Sequence, residues 1–131
     1  MSEHPNAIIA RESYDAIAKG DFEHLGGDLL ADDVVFHVPG RGPLAGDYHG
    51  KEEVLRYLNQ LTAMTQSTLR FEPETFLASD DRAAVILRAQ GERGGQEMND
   101  HGVHVFRIDN GKISERWSFP HDTYAVDAFF A

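Results

Sequence analysis

The dipeptide Asn110-Gly111, set between two long β-type runs, constrains this chain more than any other feature. A two-residue type I′ turn needs φ > 0 at both central positions, and Asn and Gly tolerate that best. The segment from Gln96 to Asp122 therefore reads as a β-hairpin whose register can be counted outward from the turn. Ile108 is expected opposite Ile113, Phe106 opposite Glu115, His104 opposite Trp117, Gly102 opposite Phe119 and Asp100 opposite His121. Side chains alternate faces along a strand. Met98, Asp100, His104, Phe106, Glu115, Trp117, Phe119 and His121 should then share one side, and His101, Val103, Val105, Arg107, Ser114, Arg116 and Ser118 the other. The first face is aromatic and apolar, yet carries carboxylates and imidazoles, a mixture that marks it as the candidate site.

The rest of the chain reads as elements that could cover such a sheet. Residues 5–19 have helical spacing of Ala7, Ala10, Tyr14 and Ile17, with Pro5 suited to the first turn and Gly20 to the stop. Asp21 can cap a second short helix through Leu30, weakened by Gly26-Gly27. Val34 to Val38 is a β-type run ended by Pro39-Gly40, and Pro39 to Gly50 is loop-like, fit for a pocket mouth. Lys51 to Gln66 is the clearest helix, with Val54, Leu55, Leu58, Leu61 and Thr62 as its packing stripe. Two further strands, Leu69 to Ala78 and Arg82 to Glu92, are separated by Ser79-Asp80-Asp81, and Gly94-Gly95 offers a second hairpin turn. Counting from that turn sets Val85, Leu87 and Ala89 on the face of Met98, Gly102 and His104. Asp122 can cap a last helix carrying Tyr124, Val126, Phe129 and Phe130. Helices gathered at one end and meandering strands at the other indicate an α+β fold.

A chain of 131 residues is expected to form a single domain, residues 1–131, with a core of its own. The net charge of −10 argues against a nucleic-acid partner, since phosphate contacts need clustered Lys and Arg. Without Cys there are no disulfides, thiolate metal sites or Cys nucleophiles. No run approaches the roughly 18 apolar residues of a membrane span, and the first five residues lack the pattern of a secretion signal. No membrane partner and a cytoplasmic location are the expectation. The histidines lack metal-ligand spacing: His101 and His104 point to opposite faces of one strand, and no His-Glu-x-x-His occurs. No metal is expected, and with no Gly-x-Gly-x-x-Gly after a strand, no cofactor is expected.

Several local phrases resemble the SnoaL-like branch of the nuclear transport factor 2-like superfamily, the group of polyketide cyclase-like and ketosteroid isomerase-related proteins. They are Val34-Val35-Phe36-His37-Val38-Pro39-Gly40, Pro43-Leu44-Ala45-Gly46-Asp47-Tyr48-His49-Gly50, Asp109-Asn110-Gly111-Lys112-Ile113 and Glu115-Arg116-Trp117 followed by Asp122. The resemblance implies a cone-shaped α+β barrel in which a strongly curved, mainly antiparallel sheet wraps around helices and encloses an apolar pocket. It also implies a homodimer through the sheet's outer face, where Ile86, Val103 and Val105 would form an apolar patch. It does not fix a reaction, because the superfamily hosts many. The isomerase base, an Asp just before the strand-ending Pro, is replaced here by Val38. Asp122 matches the acid/base Asp of SnoaL-type cyclases. Asp100 and Arg88 could be read into an epoxide-hydrolase set, but the Gly94-Gly95 register puts them on opposite faces.

The expected function is a cofactor-independent isomerase- or cyclase-type enzyme using acid/base proton transfer on a hydrophobic carbonyl substrate. The alternative is a non-catalytic ligand-binding or dimerisation module of the same fold. His104, Asp100, Asp122 and Glu115 are the catalytic candidates, because imidazole and carboxylates in a semi-apolar pocket can exchange protons near neutral pH. Tyr14, Phe36, His37, Tyr57, Phe106, Trp117 and Phe119 are the candidates for holding a small hydrophobic ligand. Each has a structural reading as well: His104 as a satisfied core histidine, Glu115 as an ion-pair partner, Asp122 as a helix cap and the aromatics as ordinary core.

Overall fold

The computed structural model describes residues 3–131. Helix α1 (Pro5–Lys19) starts with Pro5 in its first turn and the His4 side chain accepting from the Asn6 N–H, and it ends at Gly20 with φ of 68°. Asp21 caps the one-turn α2 (Phe22–His24), which runs into a π-helical turn at Leu25–Leu29 where Gly26-Gly27 loosen the winding. Strand β1 (Leu30–Val38) follows. Inside the stretch expected to be loop, Gly46–His49 forms a short strand, β2, because its backbone finds partners on the edge of β1, with Val35 opposite His49 and Val38 opposite Gly46.

Helix α3 (Gly50–Met64) buries Val54, Tyr57, Leu58 and Leu61, the i, i+3, i+4, i+7 positions of one face. Tyr57 thus takes the place in the stripe expected for Leu55, and Thr62 is exposed. Strands β3 (Arg70–Ala78), β4 (Arg82–Arg93), β5 (Gln96–Asp109) and β6 (Lys112–Pro120) form the meander, and α4 (Thr123–Phe130) closes the chain. The sheet order is β2-β1-β6-β5-β4-β3. All neighbours are antiparallel except β1 and β6. The sheet is curved but unclosed, a mixed α+β cone. Helices α1 and α3 pack onto its inner face, against β3 and β1 respectively, and the core lies between.

Both turns behave as their sequences require. Asn110 and Gly111 have φ of 52° and 76°, and Gly94 and Gly95 have 57° and 82°. From Gly94-Gly95 the register runs without interruption: Leu87 opposite Gly102, Val85 opposite His104, Ala83 opposite Phe106. From Asn110-Gly111 it does not. Ile108 pairs with Ile113 as expected, but Arg107 then pairs with Glu115, leaving Ser114 as an extra residue on β6. The Ser114 hydroxyl bonds the Asp109 carboxylate at 2.7 Å beside this bulge. A single extra residue turns every later side chain over. Glu115, Trp117 and Phe119 therefore point to the outer face, contrary to expectation, and Arg116, Ser118 and Pro120 point inward opposite Phe106, His104 and Gly102.

Candidate active site

The inner face of the sheet and the helices over it enclose an apolar cavity of about 90 Å³. Its floor is formed by β4, β5 and β6, through Leu87, Ala89, Met98, Gly102, His104, Arg116 and Ser118. Tyr57 and Leu61 of α3 and Leu69 and Phe71 before and on β3 form the sides. The mouth is framed by the loop after β1, including Pro39, Gly42, Leu44 and Ala45, and by Thr123, Val126, Asp127 and Phe130 of α4.

Two carboxylates fasten this mouth. Asp100 accepts from the backbone N–H groups of His121 at 3.2 Å and Asp122 at 3.1 Å, fixing the corner where β6 gives way to α4. Asp127 accepts from the N–H groups of Arg41 at 2.9 Å and Gly42 at 3.2 Å, tying α4 to the loop after β1. Gly40 lies so close to Asp127 that a Cβ there would collide with its carboxylate, which explains glycine at that position. Arg93 holds the far end of α4 through the carbonyls of Phe129 and Ala131.

Deeper in, His104 is buried and its Nδ1 lies 2.6 Å from the Tyr14 hydroxyl. Burial, seconded by the positive charge of Arg116, pushes the His104 imidazolium form well down in pKa, so the ring is neutral. Burial pushes the Tyr14 phenol up, against a smaller downward pull from Arg116, so it keeps its proton. Tyr14 has no other hydrogen-bond acceptor among the described residues. The arrangement that satisfies both groups has Tyr14 donating to Nδ1, which leaves the imidazole proton on Nε2. His104 thus offers a neutral N–H donor rather than a lone pair at its second nitrogen.

Arg116, expected on the outer face, is the principal residue that sequence reasoning missed. It is 3% exposed, its guanidinium lies over the Phe36 ring at 4.3 Å and 6.0 Å from that of Tyr57, and it lines the cavity. Its Nε is sealed and unpaired, and among the described residues it has no ion-pair partner. The misplacement follows from the Ser114 bulge, for which the strict alternation of Ile113, Glu115, Trp117 and Phe119 gives no signal.

The other sequence candidates separate. Tyr57 joins His104 and Asp100 at the cavity. Tyr14, Phe36 and Phe106 lie in the core behind its wall: Tyr14 and Phe106 pack edge-to-face at 6.0 Å, and Phe36 supports Arg116. Asp122 is exposed and caps α4, accepting from the Ala125 N–H at 3.0 Å, outside the cavity lining. Glu115, His37, Trp117 and Phe119 belong to the outer face. There His37 is held between Asp47 at 2.8 Å and Glu115 at 2.5 Å and stacks on Trp117, with ring centroids 5.4 Å apart. His104 therefore stacks not near Trp117 but on Tyr14, at 5.9 Å. Arg88 is also outside, bonded to His101 at 3.1 Å, while Asp100 pairs with Ala89. Among the described residues no cluster of His, Asp and Glu has the arrangement to hold a metal ion. Nor is any described helix long and apolar enough to cross a membrane.

Residues 10–116 match the family model described as SnoaL-like domain. The uncharacterized protein Rv0034 of Mycobacterium tuberculosis is 26% identical over 132 residues, covering all of both chains. Among solved structures, the chain is similar to Bal32a from a soil-derived mobile gene cassette, with a TM-score of 0.93 and 31% identity over 97% of each chain. It is also similar to an NTF2-like protein of unknown function from Burkholderia pseudomallei, with a TM-score of 0.87 and 25% identity over 98% of this chain and 99% of that one.

Proposed function

This chain belongs to the SnoaL-like domain family, and from that premise we propose that it is a small-molecule pocket enzyme moving a proton on a hydrophobic carbonyl substrate, in a cofactor-independent isomerase- or cyclase-type reaction. The observation that carries the reading is a neutral His104, locked by Tyr14, in the wall of an apolar cavity with the Asp100 carboxylate toward its mouth. Each Asp100 oxygen receives one backbone N–H and keeps a second lone pair. In the reaction, Asp100 takes the proton from the carbon next to the carbonyl. The C–H electron pair forms the enolate, and the charge arriving on oxygen is met by the His104 Nε2–H in a water-poor site. Returning the proton to a different carbon completes an isomerisation, and adding the enolate carbon to a second carbonyl within the substrate completes a cyclisation.

Hydrogen–deuterium exchange at the α-carbon of small ketones such as 2-butanone and cyclopentanone, followed by NMR, tests this chemistry and does not require the natural substrate. Wild-type protein should accelerate exchange, and Asp100→Asn should slow it by about a hundredfold or more, the usual scale for a general base. No acceleration over buffer, or wild-type rates in both Asp100→Asn and His104→Gln, would overturn the reading. The second reading, a ligand-binding module without chemistry, is favoured by one fact: both Asp100 oxygens already serve the β6–α4 corner. A homodimer through the outer face completes the proposal. Phe119 is 55% and Ile86 39% exposed there, and sedimentation of wild type against Phe119→Asp tests it.

A further inference from the structure

The proposed reaction leaves Arg116 without a task. A guanidinium stays charged under all ordinary conditions, and burying one without a counter-ion is among the most unfavourable arrangements a core can hold. Arg116 nevertheless sits 3% exposed, with its Nε unpaired. Its position is not an accident of loose packing, since Phe36 lies under the guanidinium plane and Tyr57 beside it. The carboxylates that could have neutralised it are engaged elsewhere. Asp100 and Asp127 are each held by two backbone N–H groups at the mouth, and neighbouring Glu115 is outside with His37. The cavity floor therefore presents a fixed cation and a neutral N–H donor with nothing in the described protein to accept from the cation.

We infer that the missing partner is part of the ligand, and that the substrate is a small monocarboxylate whose carboxylate lies on Arg116 while its carbonyl lies toward His104. This rests on the reading that the cavity takes a carbonyl compound, and it specifies the class as short keto acids. Four observations select a carboxylate over other anions and over larger compounds. The planar guanidinium matches a carboxylate's two oxygens, with one positive charge for one negative. The rest of the lining is largely apolar, with Leu61, Leu69, Phe71, Leu87 and Met98 among it, suiting a short hydrocarbon segment rather than a phosphate. Asp100 and Asp127 at the mouth disfavour a dianion. The cavity's volume of about 90 Å³ is below the roughly 150 Å³ of an engineered cavity that admits benzene, so its inner part suits a short ligand.

The test is calorimetric titration of the full chain, at pH 7 and constant ionic strength, with acetate, propionate and benzoate, each against its neutral amide. Wild-type protein should bind propionate saturably and at least tenfold more tightly than propionamide. Arg116→Met should lose the preference, and Arg116→Lys should retain part of it because the charge remains. The acid–amide comparison on wild type needs no variant, so a variant that fails to fold leaves the test intact. Equal binding of acid and amide, binding of none of the three acids, or displacement of propionate by sulfate at equal concentration would each overturn the inference. The readout is independent of turnover. A carboxylate preference with no α-carbon exchange would preserve this site and remove the proposed reaction, whereas exchange on neutral ketones with no carboxylate preference would do the reverse.

Discussion

His104 on the inner face and His37 on the outer face belong to the same sheet, and their surroundings drive them in opposite directions. Around His104 there is burial, a phenol and a nearby guanidinium, and both burial and the positive charge disfavour a proton. Around His37 burial also opposes the proton, but the hydrogen bonds and charges of Glu115 and Asp47 outweigh it and raise the pKa. Only an imidazolium can donate to both carboxylates at once, from Nδ1 and from Nε2. The difference teaches that histidine's role here is set by the sheet face on which the register places it.

Substituting His104 by Ala is the hardest blow to the inner side. It opens a cavity and leaves the Tyr14 hydroxyl without a partner, which together should cost about 3 kcal/mol in urea denaturation. The same contrast appears in pH. A neutral buried His104 takes up its proton only on unfolding, so its contribution is complete above the ordinary histidine value of 6.5 and declines as the pH falls below it, at about 1.4 kcal/mol per pH unit until the folded-state pKa is reached. His104→Gln should flatten that acid limb, and an unchanged limb would show that the group is not held neutral.

His37 has the opposite sign and a smaller effect. Its folded-state pKa is raised, so its stabilisation is fully present below pH 6.5 and is lost as the pH rises from there through the folded value. With Asp47 55% exposed, solvent screening limits the gain to about 1 kcal/mol or less. His37→Asn should remove stability at pH 6 and change little at pH 9, measured by the same denaturation midpoints. Smallest of all, Phe119→Ser on the outer face should alter the stability of the monomer by less than about 0.5 kcal/mol. A large loss there would mean that the outer face is covered in solution.

Much of the fold was legible because its signals are local. Pro5 and Gly20 bracket α1, Asp122 caps α4, and Asn-Gly and Gly-Gly make the turns that their φ tolerance permits. The β4–β5 half of the site could be read as well, since an uninterrupted ladder carries Gly94-Gly95 register to Asp100 and His104. The β6 half could not. Hydrophobic alternation favoured placing Trp117 and Phe119 inside, and the strand from Lys112 to Phe119 contains neither the glycine nor the proline that commonly announces a bulge. Tyr14 is a different case: its contact with His104 spans 90 positions, and only the packing of α1 on the sheet brings them together.

The bulge also sets the sign of charge in the cavity. With Ser114 present, β6 offers a cation inward at Arg116 and an anion outward at Glu115. Straightening the bulge, with Ser114 paired to Arg107 and the hairpin turn kept, would exchange the two sides, sending Glu115, Trp117 and Phe119 in and Arg116 out with no residue altered, whereas deleting Ser114 would leave Arg107 opposite Glu115 and Arg116 inward. A floor that now presents a guanidinium would then present a carboxylate and aromatic rings. In this strand the charge on the cavity floor is written less in which side chains are present than in whether Ser114 takes a partner on β5.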